Sequence, residues 1–218
     1  MYSRDGAVIA ERKLAGDDPR ILRIPGGQAF ALISDHEDIE LFDARDLTTS
    51  KKCSEMAPIK SVSAHNVLLE VPVSRFPPLS RLELREICGP TQFAYEWGEL
   101  PDAATLLDDT RIALSGPNVV LMSGEAKAWT ESFKNETAEG STSASDDGNS
   151  FAVALVNSSA HPKSMRIIVC RSQNGQHLAE VPIEHWPNHR FDFALSPDGK
   201  LLAILADREL QLVPIQVQ

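Results

Sequence analysis

No stretch of the 218-residue chain strings together the roughly 18 apolar residues that a membrane-spanning helix needs, so no membrane partner is expected. The first twenty residues carry charges throughout and lack the apolar centre of a signal peptide, which leaves the compartment open. Cysteine is scarce: Cys53, Cys88 and Cys170 are odd in number and contain no Cys-x-x-Cys pair. That indicates neither a disulfide framework nor a zinc knuckle, and the three read as packing residues. Basic charge is short as well, with 21 Lys and Arg against 31 Asp and Glu and a formal net charge of -10. Nucleic acid, whose binding needs a cationic footprint to displace counterions, is therefore not an expected partner. The chain has no G-x-S-x-G nucleophile elbow and no phosphate-binding loop, and Gly26-Gly27 reads as a turn. Helical periodicity is missing beyond a few residues.

What is present is punctuation. Gly 12 and Pro 14 interrupt a chain that is 42% hydrophobic and 24% charged, a pattern that suits many short strands in one all-β domain over residues 1–218. The C-terminus shows this best. Phe191, Phe193 and Leu195 alternate with other residues, and Ser196-Pro197-Asp198-Gly199 supplies a turn. Leu201–Leu205 then runs continuously apolar, as in a strand covered on both faces, and Leu210, Leu212 and Pro214 alternate again. A second copy begins at Ser145-Asp146-Asp147-Gly148 before FAVALV, and a third at Asp108-Asp109-Thr110 before IALSG. The steps from Asp109 to Asp147 (38 residues) and from Asp147 to Asp198 (51 residues) bracket the roughly 40–45 residues of a four-stranded propeller blade. Residues 131–150, rich in Ser, Thr, Glu, Gly and Asn, read as largely a mobile surface loop.

With SPDGKLLAILAD and ELQLVPI in view, the chain resembles the WD-repeat and YVTN-type β-propeller superfamily, most closely over residues 190–216. The Trp-Asp pair and the Gly-His start of strict WD repeats are absent. The resemblance implies about five four-stranded blades. It also implies that Ala7–Leu14 could pair beside the last blade and close the ring, or that the chain is a partial ring of a larger propeller. Its functional implication is a non-catalytic, monomeric scaffold that binds another protein or a small ligand through loops on one face. The alternatives are a carbohydrate-active hydrolase or lyase with acids at the central channel, for which Asp108, Asp147 and Asp198 would have to converge, and an inactive fragment of a longer propeller.

Candidate contacts come from two places. Phe93, Tyr95 and Trp97 recur at period two in TQFAYEW, a stripe that would serve a partner if exposed and would fill an inter-blade wedge if not. His185-Trp186-Pro187-Asn188-His189 sets two histidines four apart, but Pro187 opposes the helix that would aim both at one ion. The segment reads as a polar inter-blade turn with Trp186 packed against a neighbour, and Trp186 and His189 are its candidate binding residues. His36, His65, His161 and His177 show no ligand spacing, and neither a metal nor a cofactor is expected.

Overall fold

The computed structural model describes residues 19–24, 26, 28–34, 37–55, 57–75, 78–96, 101–157, 159–160, 164–183, 192–206 and 209–215. Every regular element among them is a strand, and the turn residues divide these strands into five antiparallel meanders. Blade one holds β1 (Arg20–Arg23), β2 (Ala29–Ile33), β3 (Asp38–Asp43) and β4 (Thr49–Ser54). Blade two holds β5 (Ile59–Val62), β6 (Asn66–Arg75), β7 (Pro78–Glu86) and β8 (Thr91–Glu96). Blade three holds β9 (Ala103–Leu106), β10 (Arg111–Ser115), β11 (Asn118–Ser123) and β12 (Ala126–Ser132). Blade four holds β13 (Thr137–Ala144), β14 (Ser150–Asn157), β15 (Ser164–Arg171) and β16 (His177–Ile183). The described part of blade five is β17 (Asp192–Leu195), β18 (Leu201–Ala206) and β19 (Glu209–Pro214).

The continuous apolar strands explain why these sheets pack face to face. In β14, Phe151, Val153 and Leu155 point toward blade three, while Ala152 and Ala154 point toward blade five. A strand buried on both sides has no polar face to alternate with. β10 repeats the device, with Ile112 and Leu114 against blade two and Ala113 against blade four. Four apolar clusters result, one at each contact between successive blades. Each fully buried Leu, Ile or Phe in them contributes about 1.5–3 kcal/mol.

One hydrogen bond recurs in all five blades. The residue after the third strand donates its amide to the carbonyl of the residue before the second: Ala44 to Gln28, Ile87 to His65, Gly124 to Thr110, Ser172 to Asn149 and Ile215 to Lys200, at 2.7–2.9 Å. In blades one to four this repeat ties both turns together at one end of the propeller, and in blade five it ties the end of β19 to the turn before β18. The opposite end carries the connections from second to third strand and from blade to blade.

Three sequence expectations need comment. Residues 131–150 are not largely a surface loop, because Thr137–Ala144 forms β13, the inner strand of blade four. Its Ser and Thr content misleads because on this inner strand Thr142 and Ser143 face the channel, where their hydroxyls bond to neighbouring blades. The cysteines are not all packing residues either, since Cys53 on β4 and Cys88 after β7 form a disulfide, whereas Cys170 is free and buried. Linear spacing could not show this, because blade packing brings together residues 35 apart. The run Ala7–Leu14, expected beside the last blade, lies outside the described residues.

Candidate functional site

The inner strands β1, β5, β9, β13 and β17 surround a cavity of about 460 Å³, lined by Leu22, Ser61, Thr105, Thr142, Ser143 and Ala194 among others. An inner strand pairs with its own blade along one edge and turns the other toward its neighbour. Hydroxyls answer part of that second edge: the Leu106 amide donates to Ser61 Oγ (2.9 Å) and the Leu195 amide to Ser143 Oγ (3.0 Å). The Thr105 and Thr142 hydroxyls bond to each other. The channel wall thus mixes apolar residues such as Leu22 and Val62 with hydroxyls that bond from blade to blade.

The aspartates that would have to serve hydrolysis are engaged in their own turns. Asp147 Oδ1 accepts from Ser145 Oγ (2.7 Å) and from the Asn149 amide (2.9 Å). Asp198 Oδ1 repeats this with Ser196 Oγ (2.6 Å) and the Lys200 amide (3.1 Å). Asp108 accepts from the amides of Thr110 (2.8 Å) and Arg111 (2.7 Å) and from the Arg111 guanidinium. Burial pushes the Asp108 and Asp147 carboxyls up, but these bonds outweigh it and hold both below the usual carboxylate range. Bonds from Ser196 and Lys200 do the same for Asp198. All three are thereby held toward the ionised form, which accepts hydrogen bonds and does not donate a proton. Asp147 and Asp198 instead border a groove of about 480 Å³ between blades four and five, together with Arg171 and Lys200.

Of the expected contact residues, Phe93 is half-buried on β8 and packs on the cluster between blades two and three. Tyr95 is 6% exposed in the same cluster and donates its hydroxyl to the Gly124 carbonyl of blade three (2.7 Å). Burial, with Glu125 nearby, pushes its phenol up to about 12. Trp97, Trp186 and His189 lie outside the described residues, in the connections from β8 to β9 and from β16 to β17.

Two further polar groups join successive blades, neither of them among the expected site residues. Glu83, 4% exposed, accepts from Arg81 (2.5 Å), Arg85 (2.8 Å) and Thr91 (3.1 Å), and Arg85 reaches Glu55 of blade one (3.1 Å). The alternation Arg81-x-Glu83-x-Arg85 on one strand face was the available signal. Between blades three and four, Glu131, Cys170 and His177 bring their ligand atoms within 4.8 Å of one another. Nothing in the spacing of those three residues foretold it.

No family model matches the chain, and no curated protein matches it by sequence. Solved structures match its shape. The C-terminal WD40 domain of Sif2 superposes with a TM-score of 0.53 at 11% identity, over 97% of this chain and 70% of that one. KlAtg21, solved in complex with the coiled coil of AgAtg16, gives 0.61 at 14% identity over 91% of this chain and 66% of its own. The hydrazine synthase of Kuenenia stuttgartiensis gives 0.55 at 13% identity over 88% of this chain, which spans only 57% of that chain's length. Radial sheets around a common channel, four inter-blade cores and these superpositions make the fold a β-propeller, with five blades among the described residues.

Proposed function

We propose that the chain is a non-catalytic propeller scaffold that binds a protein partner through the end from which the blade-to-blade connections emerge. The observation that carries this reading is the contrast between the two ends. One end is tied in every blade by the repeated amide-to-carbonyl bond, whereas the three longest connections, residues 97–102, 158–163 and 184–191, all belong to the other. Long loops on a rigid scaffold are where recognition concentrates. Trp97, Trp186 and His189 fall in two of these three connections, and large aromatic side chains are favoured anchors at protein interfaces. In this reading Phe93 and Tyr95 anchor the strand that leads into the first of them. The ionised, turn-bound state of Asp108, Asp147 and Asp198 supports the non-catalytic reading over glycoside hydrolysis. That KlAtg21 was solved with a coiled coil supports a protein as the partner class.

The test compares proteins captured by the wild-type chain with those captured by Trp97→Ala plus Trp186→Ala, with a turn-end variant, Asn174→Ala, as control. Partners lost only in the aromatic double variant, at unchanged unfolding temperature, support the proposal. Identical partners across all three chains contradict it.

A further inference from the structure

We propose that Glu131, Cys170 and His177 form a zinc site that staples blade three to blade four at the rim of the propeller. Cys170 and His177 are direct cross-strand partners on β15 and β16, so their side chains leave the same face of blade four. The register shifts at a bulge between Val169 and Cys170, a feature that re-aims the side chain beside it. Glu131 comes from β12, the outer strand of blade three, and its Oε2 lies 3.0 Å from His177 Nε2. The three ligand atoms lie within 4.8 Å of one another. Zinc bonds of about 2.0–2.3 Å in a tetrahedron place ligand atoms roughly 3–4 Å apart, so small side-chain rotations complete the set.

The donor types select the ion. A thiolate, an imidazole and a carboxylate suit zinc, whereas calcium and magnesium take oxygen ligands. His177 also has the outer partner that such ligands use, because its Nδ1 lies 2.9 Å from Glu180 Oε1. Cys170 forms the closed inner side, while the Glu131 and His177 side chains are 34% and 27% exposed, which gives the ion a route from the rim and leaves the fourth position to water. On binding, the Cys170 thiol proton and any proton on His177 Nε2 pass to solvent. A dication then sits among two anionic ligands and one neutral ligand. Blades one and two are linked at a comparable place, from the fourth strand of one blade to the region after the third strand of the next, by Cys53–Cys88.

The test uses the full chain, stripped with a chelator and titrated with zinc chloride, and separately with cobalt(II) followed by absorption. One equivalent should bind, and the cobalt adduct should show a thiolate-to-metal charge-transfer band. Cys170→Ala should abolish the band and lose the binding, as should His177→Gln. Glu180→Gln should keep one equivalent but bind about 10–100-fold more weakly, as expected of a positioning residue. Glu131→Gln, at the exposed side of the site, guards against misfolding: it should weaken zinc binding while keeping the wild-type unfolding temperature measured without metal. No saturable binding by the wild type, or affinity unchanged in Cys170→Ala and Glu131→Gln, overturns the proposal.

Discussion

His65 Nδ1 on the first turn of blade two lies 2.6 Å from Oδ2 of Asp109 on the first turn of blade three. The other Asp109 oxygen accepts from Ser63 Oγ (2.6 Å) and the His65 amide (3.2 Å), and its backbone carbonyl accepts from Asn66 Nδ2 (2.7 Å). One carboxylate therefore clasps two blades. Asp109→Ala should cost about 1–2 kcal/mol in urea unfolding, because half-exposure tempers the loss of charge-assisted bonds. Asp109→Asn should recover part of it. No change in either variant would show the clasp to be idle.

The Cys53–Cys88 bond closes a loop of 35 residues across the first blade contact. Cross-links of this kind contribute about 2–4 kcal/mol, chiefly by restricting the unfolded chain. Denaturant titration with and without reductant should show a difference of that size, and Cys88→Ser should remove the dependence on reductant.

Two glycines with similar backbone angles should respond differently to a methyl group. Gly148 (φ +64°) sits where an added Cβ would lie 2.6 Å from the Leu107 carbonyl oxygen, whereas at Gly124 (φ +56°) nothing lies within 4 Å. Gly124→Ala should cost only the left-handed strain, about 1 kcal/mol, and Gly148→Ala clearly more, since the inter-blade contact must open. Thermal unfolding of the two variants side by side checks the order.

Glu83 is the buried centre of the Arg81 and Arg85 pairs. Burial pushes its carboxyl up, and the bonds from Arg85, Arg81 and Thr91 outweigh it, leaving the pKa below its ordinary 4.5. A carboxyl depressed in the folded state stabilises fully above its unfolded value and loses that contribution as pH falls through the folded one. The wild type should therefore lose stability below pH 4.5 more steeply than Glu83→Gln. At neutral pH the variant should be less stable by on the order of 1–3 kcal/mol, because Arg81 and Arg85 each exchange a charged acceptor for a neutral one, while Arg85 keeps Glu55.

The strand-and-turn grammar was legible because the same local chemistry recurs. Ser145-x-Asp147-Gly148 and Ser196-Pro197-Asp198-Gly199 make matching serine-to-aspartate bonds, and β14 and β18 announce themselves as apolar runs. β13 escaped because its fitness for the channel lies in small hydroxyl side chains, which also mark loops. The disulfide and the Glu131–Cys170–His177 group escaped for a different reason. Each joins residues from successive blades, and only the radial packing of the sheets makes them neighbours. Tyr95 stood out as an aromatic at period two, but only the three-dimensional contact with Gly124 shows which neighbour it packs on.

The account rests on one bond that recurs at the same place in all five described blades. Residue-resolved amide hydrogen exchange on the native chain measures that lock directly. The amides of Ala44, Ile87, Gly124, Ser172 and Ile215 should exchange slowly as a set, despite lying outside the strands. Exchange of several of them at the rate of unprotected loop amides would contradict the five-bladed, turn-locked architecture.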